Sequence, residues 1–218
     1  MNKELIMLID IEGTDGSGKA VQTKKLYDYL VEKGYKCKLI SFPNYDSPSS
    51  EPVKMYLSGE IKDDFDGYQN SVLYAVDRLI TMHNDINIED YDFVLFDRYV
   101  PSNMIHQSTK MNNQVDIDRF IDWIVDFEYG KLKLPIPDKI IFLDNPPEFS
   151  IPLARSRMEL KNKKQKDILE SDDNHIRLAY ARAKYIANKF DWIHINCVDK
   201  KLKTIEQIHK EILTKLGL

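Results

Sequence analysis

Leu5-Ile-Met-Leu-Ile9, then Asp10-Ile11, then Glu12-Gly-Thr-Asp-Gly-Ser-Gly-Lys19 passes from an apolar run to a glycine-rich turn. The run Leu5 to Ile9 is short and unbroken, which predicts a strand buried on both faces, ending at Asp10. From Lys19 to Lys33 the pattern is helical, with Val21, Leu26, Leu30 and Val31 on one side and Gly34 as the stop. A glycine-rich turn between such a strand and such a helix is built to hold phosphate. Glycines let backbone N–H groups curl around oxygens without Cβ clashes, and the helix adds its positive end. The strict pattern is G-x-x-x-x-G-K-[ST]. Here Gly13, Gly18 and Lys19 fit, and Ala20 stands where a hydroxyl normally reaches a magnesium ion. The predicted triphosphate set is Gly13, Thr14, Asp15, Gly16, Ser17, Gly18, Lys19 and Ala20, with Lys19 as a mobile charge for the outer phosphates. Asp15 would repel phosphates inside the cradle, so it is expected to face a hydroxyl of a second substrate.

Outward from this stretch, strand-like segments recur at 38–42, 93–96, 139–143 and 192–196, with helical patterns at 68–82, 117–127, 175–189 and 205–216. Alternation of this kind predicts a parallel α/β sheet with right-handed crossovers. No linker or repeat divides the chain, so residues 1–218 are read as one domain. Ser47-Pro-Ser-Ser50 reads as a loop and Leu134-Pro-Ile-Pro-Asp138 as a stiff entry into a strand. The chain has 218 residues, a net charge of −4 and ordinary hydrophobic content at 43%, which argues against a long nucleic acid as partner. Cys37 and Cys197 read as buried thiols. Neither a signal peptide nor a membrane span is visible, and the expected location is the cytoplasm. The five histidines form no zinc spacing with the cysteines.

Further motifs lie at the predicted ligand edge. Asp97 and Arg98 follow the strand 93–96; Asp97 is placed to hold magnesium directly or through water, and Arg98 suits a phosphate fork. Tyr74 and Arg78 share one helix face at i, i+4. In order, Glu12-Gly-Thr-Asp-Gly-Ser-Gly-Lys19, Phe42-Pro43, Tyr74 with Arg78, Asp97-Arg-Tyr-Val-Pro-Ser-Asn103, Leu134-Pro-Ile-Pro-Asp138 and Phe142-Leu-Asp-Asn-Pro-Pro-Glu148 resemble the thymidylate kinase family. That resemblance implies a three-layer P-loop NTPase fold, a five-stranded parallel sheet flanked by helices, and a short lid at about 155–168. It implies ATP with Mg2+ as donor and dTMP as acceptor. By position, Asp15 would hold the acceptor 3′-hydroxyl, and Phe42 and Tyr74 would line the base pocket. Arg78 would meet the base edge or the acceptor phosphate, Arg98 that phosphate, and Asn103 the base. Ser102, His106 and Gln107 complete the acceptor side, with His106 where members often carry an aromatic residue.

Arg155, Arg157, Lys161, Lys163, Lys164 and Lys166 form a basic run in an otherwise acidic chain. Members with glycine at the Gly16 position resemble a type that draws its catalytic arginine from the lid, so Arg155 and Arg157 are the candidates beside Lys19 and Arg98. Asp167-Ile-Leu-Glu170 resembles the family's Asp-x-x-Glu element, with Ile168 where an arginine is usual. Two other readings accompany this one. His106 admits a kinase for dUMP or a modified pyrimidine nucleotide, and Ala20 with Ile168 admits a nucleotide-binding module without activity. The family is commonly homodimeric, and the stripe Ile117, Phe120, Ile121, Ile124 and Phe127 serves equally as core or as interface.

Overall fold

The computed structural model describes residues 6–61, 65–84, 86–160 and 172–218. The chain runs β1 (Met7–Glu12), α1 (Lys19–Glu32), β2 (Cys37–Ser41), α2 (Glu51–Leu57), α3 (Gly67–Asn84), β3 (Phe93–Asp97), α4 (Val100–Gln107) and α5 (Gln114–Ile124). It continues β4 (Lys139–Asp144), α6 (Pro147–Leu160), α7 (Asp173–Lys189), β5 (Ile193–Asn196) and α8 (Ile205–Leu216). The five strands lie in the order β2-β3-β1-β4-β5, and every pairing is parallel. Central β1 aligns Ile11 with Asp97 of β3 and Glu12 with Phe142 of β4. The loops leaving β1 and β3 therefore open side by side at the carboxyl edge, where ligands bind in such sheets.

Alternation along β1 sends its side chains to two cores. Ile9 and Ile11 join Leu95, Ile141, Leu143 and Ile195 under Leu26 and Leu30 of α1 and Ile208 and Ile212 of α8. Leu8 joins Val94, Phe96 and Phe142 on the other face, under α4, α5 and α7. Sheet and two helical layers make the expected three-layer α/β fold. Local signals agree with it: Thr204 and Gln207 form a capping box on α8, and Gly217 closes it in the left-handed region. Asp138, at the end of the proline-rich entry, takes the Leu8 N–H at 2.7 Å and so pins β4's start to β1. Among the described residues, no helix is long and apolar enough to cross a membrane.

Several expectations change. β1 starts at Met7 and continues through Asp10 to Glu12, because backbone pairing on both sides carries the strand past its apolar run. Pro48–Ser50 is a 3₁₀ turn capped by Ser47 rather than an irregular loop. The helices α2, α4 and α6 had no clear apolar period, and α6 even contains Pro152. Of the stripe, Ile117, Phe120, Ile121 and Ile124 are buried inside this chain as core, while Phe127 lies beyond α5 and is half-buried. Beyond Ile124 the helix loosens into a π-helical stretch, Val125–Lys131. Cys37 is only half-buried; Cys197 is buried, and both thiols are free.

Asp10 is the misfit. It is 0% exposed, and among the described residues neither carboxyl oxygen has a hydrogen-bond partner; the hydroxyls of Tyr99 and Tyr129 are likewise buried and without one. Burial first, then Glu12 and Asp97, raise its carboxyl well above the ordinary aspartate range against the pull of Arg78 and Arg98. A carboxyl raised in the fold supports folding below its unfolded pKa and loses that contribution as pH rises through the folded value. Asp10→Asn should therefore be more stable than wild type by about 1–3 kcal/mol at pH 8 in urea denaturation. The gain should vanish below about pH 3, where the unfolded aspartate is protonated too. A gain of equal size at both pH values would contradict an ionisable burden at Asp10.

Candidate functional site

The turn after β1 is shaped by three glycines of positive φ: Gly13 at 153°, Gly16 at 78° and Gly18 at 93°. Gly18 caps α1 from the left-handed region, and a Cβ there would meet nothing within 4 Å, so the turn stays open on that side. Gly16 has no such space: a Cβ would collide with the Ser150 carbonyl oxygen of α6 and stand 2.9 Å from the Ala154 nitrogen. Asn145 steadies the same residue by donating to its carbonyl at 3.2 Å. Lys19 folds back onto its own turn, donating to the carbonyls of Gly13 at 2.6 Å and Thr14 at 2.8 Å. Burial and then the charge of Arg98 lower its pKa to about 8, with Asp15, Glu12 and Asp97 opposing. The hydroxyls of Thr14 and Ser17 are buried without partners. A cradle with an open side, idle hydroxyls and a lysine parked on its own carbonyls has the donor set that a phosphate chain requires.

Facing this cradle, Arg98 follows β3 with φ of 68°, a left-handed conformation that a non-glycine side chain adopts at a cost. Its Nη2 donates to Asp15 Oδ1 and its Nη1 lies 2.9 Å from His106 Nε2. His106 Nδ1 lies 3.2 Å from His175 Nε2 of α7, with the rings stacked at 19°. Asp15 is thus turned toward Arg98, with Lys19 at 4.0 Å. Burial pushes its carboxyl up, but Arg98 and then Lys19 outweigh that and hold it well below the usual range. His106 is half-buried and bonded on both ring nitrogens, not an ordinary surface histidine. Burial and then Arg98 push it well below the ordinary imidazole range.

A second cluster lies deeper. Arg78 is 2% exposed and grips Glu128 through Nε at 2.7 Å and Nη2 at 2.8 Å, while Nη1 reaches the Tyr99 carbonyl at 3.3 Å. Asn103 donates to Glu128 Oε1 at 2.8 Å and to the Ser71 carbonyl at 3.1 Å. Tyr74 sits one turn before Arg78 on α3, half-buried. Phe42, in a cis bond with Pro43, is buried against Phe96 and Tyr99. Ser102 donates to Glu12 at 2.8 and 3.0 Å, and Glu12 also accepts the Tyr99 N–H at 3.1 Å. In the described geometry Ser102 thus engages Glu12, which caps the start of α4 from β1. Gln107 is buried near Gly67 of α3.

Other expected residues lie further out. Asp97 is half-buried at the end of β3, and Ala20 is exposed on the first turn of α1. No group of three metal-binding side chains occurs among the described residues. A cation there would share one carboxylate with substrate phosphates and water, which suits Mg2+. Arg155, on α6, pairs with Asp173 of α7 at 2.6 Å, and Arg157 is exposed. Lys161, Lys163, Lys164, Lys166, Asp167, Ile168 and Glu170 lie outside the described residues. Sequence reasoning did not single out Asp10, Glu128 or His175 as members of this region. Glu12 was quoted only within a motif. The paired glutamates carry no periodic signal; only the long-range contacts reveal them.

The family described as "Thymidylate kinase" matches residues 11–212. The "Thymidylate kinase" of Caldicellulosiruptor saccharolyticus is 30% identical over 94% of this chain and 92% of its own length. The "Probable thymidylate kinase" of Methanococcus aeolicus is 31% identical over 99% and 96%. The "Thymidylate kinase" of Mycobacterium tuberculosis H37Rv is 30% identical over 76% and 78%.

Removing Glu128 leaves a buried guanidinium with no carboxylate. Glu128→Ala should cost about 3–5 kcal/mol of stability, read by urea denaturation. A loss under about 1 kcal/mol would mean that Arg78 finds another anion or water.

Proposed function

The chain belongs to the thymidylate kinase family, and from that premise we propose how its own residues move the γ-phosphate of ATP onto dTMP, giving ADP and dTDP. The observation that carries the reading is the Arg98–Asp15 pair at the mouth of the phosphate cradle. It puts a guanidinium for one anion beside a turn built for another.

The ATP phosphates lie along the Gly13–Lys19 turn and take N–H groups from Gly16, Gly18 and their neighbours. Lys19 exchanges two neutral carbonyls for phosphate oxygens. The dTMP phosphate takes Arg98, and Asp15 then accepts the 3′-hydroxyl of the acceptor sugar. Arg78, braced by Glu128, offers its remaining N–H groups to the base edge and Asn103 its amide oxygen, since both Asn103 N–H groups are spent on Ser71 and Glu128, with Phe42 and Tyr74 as apolar walls. Ser102 acts through Glu12 by fixing the start of α4, while His106 and Gln107 line the sugar side. A phosphate oxygen of dTMP attacks the γ-phosphorus; the bond to the β–γ bridging oxygen breaks, and ADP leaves with that electron pair. The attacking oxygen is already anionic near neutral pH, so no side chain needs to remove a proton. Mg2+ with ATP supplies charge neutralisation, and Asp97 is the residue proposed to hold it, Ala20 having no hydroxyl to offer. Arg155 or Arg157 closes over the phosphates from the lid at about 155–168 and shuts out water.

The whole chain acts as one kinase domain. Its partners are ATP, dTMP and a second copy of itself, and not nucleic acid or membrane. The dimer face we favour is α3, where Val72 (39% exposed), Val76 (37%) and Ile80 (37%) recur at i, i+4, i+8 as an apolar stripe. Two free thiols suit a reducing, cytoplasmic setting.

With each nucleoside monophosphate tested as acceptor, ADP release should be fastest with dTMP, ahead of dUMP. No ADP with dTMP despite ATP binding would end the assignment. Lys19→Ala and Arg98→Ala should each lower turnover at least about tenfold, and wild-type rates in either would remove its role. Phosphate binding favours charged Lys19, whose pKa in the free protein is about 8. The Kd for ATP should therefore hold steady below about pH 8 and rise above it; titration calorimetry across that range reads this directly.

A further inference from the structure

His175 is not part of the phosphate cradle or of the base pocket. It sits in the first turn of α7 and, among the described hydrogen bonds, reaches the site through another ring. The path has a fixed direction. Arg98 Nη1 is only a donor. At 2.9 Å from it, His106 Nε2 must present its lone pair, which leaves the His106 proton on Nδ1. That N–H then faces His175 Nε2 at 3.2 Å, which must also present a lone pair. The second proton therefore sits on His175 Nδ1. One tautomer on each neutral ring satisfies the chain, and the alternative tautomer on either ring sets two N–H groups or two lone pairs face to face. The far side of the same guanidinium is held by Asp15. Arg98 stands at φ of 68°, so its backbone contributes no relaxed preference for this orientation. Its side chain is clamped from both sides. α7 is anchored here independently of His175, because Arg182 donates to the Ser108 carbonyl at 3.4 Å and the Met111 carbonyl at 3.2 Å.

We infer that His175 is a positioning residue: acting through His106, it fixes the guanidinium of Arg98 in the orientation that receives the acceptor phosphate, so that the first turn of α7 belongs functionally to the acceptor site. The inference rests on the assignment of Arg98 to that phosphate. It extends to a residue that never touches substrate, and it gives the helix following the lid a direct hold on acceptor binding.

The test uses the full chain and two substitutions. His175→Phe keeps the ring's bulk and removes the acceptor nitrogen. His175→Gln returns an acceptor oxygen near the place of Nε2. With ATP saturating, His175→Phe should raise KM for dTMP about tenfold with KM for ATP unchanged, and His175→Gln should recover most of the loss. A His175→Phe enzyme with KM for dTMP within about twofold of wild type would overturn the inference. So would equal increases in both KM values, or a Gln variant no better than Phe. Should His175→Phe fold poorly, nitrogen-15 NMR of the wild-type imidazoles near neutral pH decides. Neutral Nδ1–H tautomers on both His106 and His175 are expected, and an Nε2–H tautomer on either ring overturns the relay. Arg98→Ala, measured alongside, tests the other assignment: an unchanged KM for dTMP there would remove Arg98 from acceptor binding whatever the histidines do.

Discussion

Four carboxylates crowd the carboxyl ends of β1 and β3, and the cations beside them can be kept only because those carboxylates are there. Asp10, Glu12, Asp15 and Asp97 face Lys19, Arg78 and Arg98 across a region that is largely buried. Two like charges 4 Å apart repel by about 4 kcal/mol near a protein surface. A site meant for two polyanions must assemble its cations before the anions arrive, and the acids make that assembly tolerable. Each acid is used differently. Glu12 caps α4, Asp15 holds Arg98, and Asp97 stands at the strand end. Asp10 has no hydrogen-bond partner among the described residues. The Arg98–Asp15 contact is the one on which the others lean, because it joins the β1 turn to the end of β3 and so fixes the gap between the proposed donor and acceptor positions.

Behind this gap the Arg78–Glu128–Asn103 cluster does a different job. It ties α3, α4 and the π-helical stretch to a single carboxylate. A buried ion pair is a weak source of stability against an apolar replacement, since both ions lose water. What it provides is orientation: a bidentate carboxylate leaves a guanidinium few rotamers. The π-helical stretch, which departs from the regular α-helical backbone, carries Glu128 into contact with both donors. A local irregularity of backbone is thus converted into a fixed polar face.

The fold was readable because its strongest signals are local. The apolar runs of β1, β3 and β4, the glycines around Lys19 and the apolar periods of α3, α5, α7 and α8 each speak within a dozen residues. The strand boundary at Asp10 was misread because a lone buried carboxylate breaks the apolar count while the backbone continues to pair. α2, α4 and α6 were unreadable for the opposite reason. Their buried faces are short or polar, and tertiary contact rather than periodicity makes them helical. At the site, Lys19, Asp15 and Arg98 were visible through motif spacing. Glu128 and His175 were not, because their partners lie 50 and 69 residues away, and no local pattern records such a distance. The stripe on α5 shows the limit of periodicity itself: it finds an apolar face without saying what covers it.

Gly16 bears on the proposal that α6 supplies a further arginine. Its backbone sits against the carbonyl of Ser150 and the nitrogen of Ala154, leaving no room for any side chain, and its φ of 78° favours glycine independently. An arginine at position 16 is therefore excluded by the packing of α6 against the turn. The same contact sets where Arg155 leaves α6, for Arg155 follows Ala154 directly. In the described structure Arg155 is paired with Asp173 at an exposed site, a contact worth at most about 1 kcal/mol. That is small beside the attraction of a polyphosphate in a closing, water-poor site. The resting pair thus presents no real barrier to the swing that the proposed role requires. The glycine in the turn and the place at which α6 presents Arg155 both follow from one close approach.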